Sequence, residues 1–232
     1  MDVANGRRTA PRAIVAPHID FHRGGPAYAW AYKRLLESDG ADLYILLGTS
    51  HCGGDNPFIL TLKDFETPLG TVETDKTFVS QLQSICEQDL FADEYLHRGE
   101  HSLEFQVVFL KYLAQRRAEL LCQPERPFKI VPILVSSFHA MVASKTLPER
   151  TPTVGTFLGA LKSLVENERR QACLVAGVDL ARGGLMSIDL YTRFVLALVA
   201  VVALIALAGW AARRFGLAGK FVAPNGRRRL SI

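Results

Sequence analysis

The sequence contains no CxxC pair, and its four cysteines, Cys52, Cys86, Cys122 and Cys173, stand far apart. That scatter excludes a structural zinc site of the usual spacing and the dense disulfide framework of a small secreted domain. Reduced thiols in a cytosolic domain are the expectation. Met1 to Arg8 carries charge, but no apolar run follows it, so no signal peptide is expected. The chain also lacks internal repeats and low-complexity stretches. Positive charge is scarce over most of its length: residues 1–185 hold 20 Lys+Arg against 22 Asp+Glu, a net of −2. Residues 186–232 hold 7 Lys+Arg and 1 Asp, a net of +6, so the overall +4 belongs to the tail. A nucleic-acid partner is therefore not expected.

The 185 residues of the front part suffice for one sizeable core. Apolar runs alternate there with amphipathic stretches. Ala13–Ala16, Leu43–Leu47, Phe58–Leu62, Ile130–Val135 and Ala172–Gly177 read as strands. Pro132 places its strand at an edge or a bulge. Helices are expected over Pro26–Leu36, Thr77–Cys86, Ser102–Ala114 and Thr153–Val165, the third with Leu103, Val107, Leu110 and Ala114 at helical spacing. Pro68-Leu69-Gly70 marks a turn. This alternation predicts an α/β fold with a largely parallel central sheet.

Three of these strands run into metal-competent residues. The first leads through Pro17 into His18, the second through Gly48-Thr49-Ser50 into His51, and the last through Val178 into Asp179. In open α/β sheets ligands bind beyond the carboxyl ends of the strands. If the three strands are neighbours, two imidazoles and a carboxylate converge, as in two-histidine, one-carboxylate iron sites. Glu100-His101-Ser102-Leu103-Glu104 opens the third helix. It reads either as a capped helix start with His101 on its surface, or as cleft residues acting as acid, base or orienting partner. His97 and His139 read as loop or surface histidines. Cys52, beside His51, reads as a small buried residue. Gly24-Gly25 lacks the residues of a phosphate loop and reads as a tight turn before the first helix.

Taken in order, Ala16-Pro17-His18-Ile19-Asp20 with Arg23-Gly24-Gly25, Leu47-Gly48-Thr49-Ser50-His51, Thr67-Pro68-Leu69-Gly70 with Asp75, Glu100-His101-Ser102-Leu103-Glu104-Phe105-Gln106, Ile130–Val135 and Gly177-Val178-Asp179-Leu180-Ala181 resemble the MEMO family. Its bacterial members are called AmmeMemoRadiSam system protein B. The resemblance covers about residues 10–184. It implies an extradiol-dioxygenase-like fold and a non-haem site for iron or copper, in some members with redox activity. It assigns His18, His51 and Asp179 to the metal and Glu100 and His101 to catalysis. It suggests a radical-SAM protein as partner and a small-molecule or peptide ligand, and leaves the substrate open. Two departures weaken the expected site. Arg182 stands where the family usually has a histidine, and guanidinium does not coordinate metals. The family's further hundred or so residues, with a cysteine ligand in some members, have no counterpart here. The MEMO-like domain, residues 1–185, is thus expected to be C-terminally truncated, and a metal-dead binding module is an alternative.

From Met186 the character changes. Nineteen uncharged, mostly apolar residues, Phe194–Ala212, are long enough to span a hydrocarbon core of about 30 Å as a single transmembrane helix. Residues 186–232, with Arg213, Arg214, Lys220 and Arg227-Arg228-Arg229 after the span, resemble the start of FliO, a membrane component of the flagellar export apparatus. The basic flank places the C-terminal side in the cytoplasm, which would put a cytosolic-looking domain on the far side of the membrane. That conflict favours a join of two reading frames over an evolved fusion. A FliO-like assembly role is the second alternative; a single-pass inner-membrane protein is expected if the chain is one natural polypeptide.

Overall fold

The computed structural model describes residues 9–178. The chain divides after Gly184 into two units, and the described residues all fall in the first. The Phe194–Ala212 segment, Arg182 and Asp179 lie outside the described residues. Among the described residues no helix is long and apolar enough to cross a membrane.

The described residues form seven strands and five α-helices, which include the five strands and four helices expected from the hydrophobic runs. In chain order they are β1 (Ala13–Pro17), α1 (Phe21–Leu36), β2 (Leu43–Thr49), β3 (Phe58–Leu60), β4 (Phe65–Thr67), β5 (Gly70–Thr74), α2 (Lys76–Ile85), α3 (Ser102–Leu121), β6 (Lys129–Val135), α4 (His139–Ala143), α5 (Pro152–Asn167) and β7 (Ala172–Val178). β4, β5 and α4 are not among those expected, and four strands follow one another from β2 to β5. The sheet runs β1-β7-β2-β6-β5-β4, with β3 also paired to β6. β1, β7, β2, β6 and β5 are parallel, while β3 and β4 pair antiparallel. The strands that lead to His18, Asp179 and His51 are therefore three consecutive neighbours.

The sheet is covered on both faces, which is why β2 is buried on every residue but its last. Side chains alternate between faces along a strand. Tyr44 and Leu46 of β2 join Ile14 and Ala16 of β1, Cys173 and Val175 of β7, and α1 and α3 in one core cluster. Leu43, Ile45 and Leu47 are equally buried and face the other side. There Phe58 stacks on Phe157 of α5 with ring centroids 3.8 Å apart. Each such large apolar side chain contributes about 1.5–3 kcal/mol on burial.

Local departures from the predicted elements have identifiable causes. α1 begins at Phe21, so Gly24 and Gly25 lie inside the helix and form no turn. Gly24 packs flat on Ile19, whose Cγ2 would be 2.3 Å from an added Cβ. Close approach of the first helical turn to the connection that enters it is thus its role, and Pro26 sits within the helix at the cost of one N–H donor. Pro132 lies in an interior strand, not at an edge. It pairs with Leu46 on one side. On the other side it falls in the gap where β6 passes from β5, which pairs residues 129 and 130, to β3, which pairs residues 133 to 135. Pro68-Leu69 turns the β4–β5 hairpin as predicted, with Gly70 at φ +116°.

Candidate metal centre

His18 follows the last residue of β1, and His51 follows β2 by one residue beyond its Thr49 end. Their Nε2 atoms are 3.4 Å apart. A separation of that size lets two nitrogens reach one ion at about 2.1 Å each. His101 stacks on His51 with centroids 4.9 Å apart and lies 5.9 Å from the ring of His18. The three rings, with Ile19 and Asp20, line a cleft of about 180 Å³. His18 is buried, whereas the side chains of His51 and His101 are 38% and 47% exposed, so the cleft opens on the His101 side.

Glu100 is buried beneath these rings and its carboxylate is already engaged. It accepts from His51 N–H at 2.8 Å, from the His51 ring Nδ1 at 3.0 Å and from Ser102 N–H at 3.0 Å. Burial raises a carboxyl pKa, but these hydrogen bonds outweigh it and hold Glu100 below its ordinary value. An ionised carboxylate accepts only, so His51 carries its proton on Nδ1 and turns Nε2 toward His18. Of the roles open to Glu100, the geometry matches the orienting partner. His101 Nδ1 is 3.4 Å from the same carboxylate. Donor atoms of His51, Glu100 and His101 all lie within 4.8 Å of one another. Imidazoles backed by a carboxylate suit iron, copper or zinc, and on that chemistry the residues present fit a transition metal.

The structure thus brings together His18, His51, Glu100 and His101. β7, whose Val178 pairs with Pro17, ends between the two histidine strands, and Asp179, the next residue, lies outside the described residues. Asp20 belongs to the Ala16–Asp20 motif, which by itself gives it no role. Its carboxylate makes no capping bond to α1 and lines the cleft; its nearness in sequence to His18 was the available signal. Three expectations are corrected. His97 does stand between the main elements, in the short 3-10 turn Glu94–Arg98, but it is part-buried, with Nε2 hydrogen-bonded to the Ile59 carbonyl at 3.1 Å. Burial pushes its pKa down to about 4. Cys52, in the turn beyond β2, is exposed. Ser102, a predicted helix cap, instead donates to the Thr49 carbonyl at 2.8 Å, and α3 starts without a side-chain cap at His101.

A larger cavity of about 380 Å³ lies at the opposite end of β2, between Leu35, Tyr44, Leu113 and Phe128. It contains no histidine. Its two guanidiniums are spent on the chain itself, Arg117 on the Leu35 carbonyl and Arg126 on the Asp39 carbonyl. Size alone does not make it the reactive site.

Comparison with known proteins identifies the family. The chain is 35% identical over 132 residues to a MEMO1 family protein of Aquifex aeolicus, covering 57% of this chain and 32% of that protein. It is 30% identical over 184 residues to a MEMO1 family protein of Ignicoccus hospitalis, covering 77% and 55%. A Methanopyrus kandleri MEMO1 family protein is 38% identical over 113 residues, covering 47% and 38%. The chain therefore spans from about a third to just over half of these relatives. The segment from Met186 lies beyond the reach of the family model, which describes a Memo-like protein. With that model matching residues 2–182, the chain belongs to the Memo-like protein family.

Proposed function

We propose that this chain is a MEMO-like non-haem metal-binding protein that holds iron or copper between His18 and His51. The 3.4 Å approach of their two Nε2 atoms is the observation that carries the reading. Glu100 orients His51 and keeps its Nδ1 protonated. His101, half exposed beside both rings, is placed to pass a proton to or from a ligand in the cleft. Asp179, next in sequence after the strand that lies between the two histidine strands, is the further ligand that the family resemblance implies. Asp20 at the rim favours a ligand with a hydrogen-bond donor or a positive group. A bound metal supplies Lewis-acid polarisation and one-electron redox chemistry. A relation to extradiol dioxygenases, a small-molecule or peptide ligand and a radical-SAM partner follow from family resemblance and are part of the proposal. With Arg182 replacing a histidine, binding is weak and metal is largely lost on purification.

Anaerobic titration of the full chain with Fe²⁺, followed by calorimetry, tests this. One equivalent is expected to bind, and His51→Ala is expected to abolish it. A folded wild-type protein that takes up no Fe²⁺ or Cu⁺ overturns the reading. The alternatives, a metal-dead binding module and a FliO-like component of the flagellar export apparatus, rest on Arg182 and on the composition of residues 186–232.

A further inference from the structure

Helix α3 presents two polar side chains to the sheet, one helical turn apart, and both are wholly buried. Ser102 Oγ donates to the Thr49 carbonyl at 2.8 Å. Gln106 Nε2 donates to the Pro17 carbonyl at 2.7 Å, and its Oε1 accepts from the Tyr32 hydroxyl at 2.5 Å. Thr49 stands two residues before His51, and Pro17 immediately before His18. The same helix entrance carries Glu100, which holds His51 by its backbone and its ring.

The sheet makes room for both side chains. A Cβ on Gly48 of β2 would come within 2.6 Å of Ser102 Oγ, and one on Gly177 of β7 within 3.2 Å of Gln106 Nε2. Burying an amide and two hydroxyls between helix and sheet is costly unless each is satisfied, and an apolar side chain would fill the same space without that cost. β1 also needs a second tether. Among the described residues it is an edge strand, laddered only to β7, so apart from the apolar packing of Ile14 and Ala16 one row of backbone hydrogen bonds sets where His18 stands.

We infer that Ser102 and Gln106 are positioning residues: α3 acts as a gauge, holding the ends of β1 and β2 so that the His18 and His51 imidazoles face each other at metal-sharing distance. Tyr32 locks the Gln106 amide in the orientation that donates to Pro17. The inference rests on the metal reading of the cleft, but its geometric half stands apart from it.

The test uses full-length wild type, Gln106→Met, Ser102→Ala and Tyr32→Phe, titrated with Co²⁺ under visible spectroscopy, with Tm measured in parallel. Loss of affinity of about 10–100-fold is expected for Gln106→Met and Ser102→Ala, as for other residues that orient metal ligands. Altered Co²⁺ ligand-field bands should accompany it while unfolding stays cooperative; a merely structural role would leave those bands unmoved. Tyr32→Phe should lose less. Should Gln106→Met fail to fold, Ser102→Ala and Tyr32→Phe carry the comparison. Folded variants with wild-type affinity and wild-type bands overturn the inference. If the wild type itself takes up no metal, the metal reading fails, and the metal-free protein decides the geometry by NMR. Loss of the His18–His51 inter-ring nuclear Overhauser effect in the variants upholds the gauge, and its retention overturns it.

Discussion

Glu100 grips His51 at two points, accepting from its backbone N–H at 2.8 Å and from its ring Nδ1 at 3.0 Å. The two residues are 49 positions apart in the chain. The backbone bond fixes where the loop after β2 stands, and the ring bond fixes which nitrogen faces the cleft.

Glu100→Gln replaces one of those accepting oxygens with a donor. The His51 ring then loses its preferred tautomer, and metal affinity should fall about 10–100-fold with the fold retained. Calorimetric titration of wild type and variant checks this; equal dissociation constants would remove Glu100 from the site.

His97 predicts a specific acid sensitivity. Its pKa is about 4 in the folded protein, because burial disfavours the imidazolium, against about 6.5 in an unfolded chain. Between these values the unfolded state binds more protons. The contribution is therefore fully present above about pH 6.5 and is lost as pH falls through about 4. That window amounts to about 3 kcal/mol at one decade per 1.4 kcal/mol. Urea midpoints measured from pH 7 to pH 4 should fall more steeply for wild type than for His97→Gln, and parallel curves would refute the assignment.

Asp75 ties the start of α2 to the loop that follows α5. Its Oδ1 caps α2 by accepting from Phe78 N–H at 2.9 Å, and its Oδ2 meets Arg170, beyond α5, at 2.5 Å. Asp75→Ala removes both and should cost about 2 kcal/mol. Asp75→Asn, which retains an oxygen for the cap, should cost about half as much. Equilibrium urea unfolding separates the two.

Glycine substitutions should divide by available space. Gly48→Ala drives a methyl against Ser102 Oγ and Leu103 Cγ, at 2.6 and 2.7 Å, and should destabilise by about 1–3 kcal/mol. Gly25→Ala, inside α1 with nothing within 4 Å of the new Cβ, should be neutral or stabilise by up to about 1 kcal/mol. Thermal unfolding of the pair tests the packing of α3 on β2, with the open Gly25 position as the control.

Thiol labelling offers a check on burial. Cys52 and Cys122 are exposed and Cys86 and Cys173 buried, with none in a disulfide; burial pushes the Cys173 thiol up to about 12. The native protein should show two fast-reacting thiols, and four on unfolding. A fast-reacting Cys173 would contradict the placement of β7 between β1 and β2.

The sequence by itself determined the alternation of strands and helices, the parallel sheet and the residues that end its strands. These are short-range properties: apolar runs such as Leu43–Leu47 and the spacing of Leu103, Val107 and Leu110 declare their period within a few residues. His18 and His51 were legible for the same reason, since each follows its own strand. Strand order was not legible, because the neighbours of β7 lie well over a hundred residues away in sequence, and only the closed sheet places it between β1 and β2. The roles of Glu100, Ser102 and Gln106 were likewise decided by tertiary structure. A buried polar side chain takes whichever partner the packed neighbours offer. Here the partners are His51 and the carbonyls of Thr49 and Pro17, which no local pattern in α3 specifies. The assembled fold reversed the reading of Cys52 and moved His97 partly inside on the same ground: exposure belongs to the assembled surface, and the six or seven residues around a side chain do not contain it.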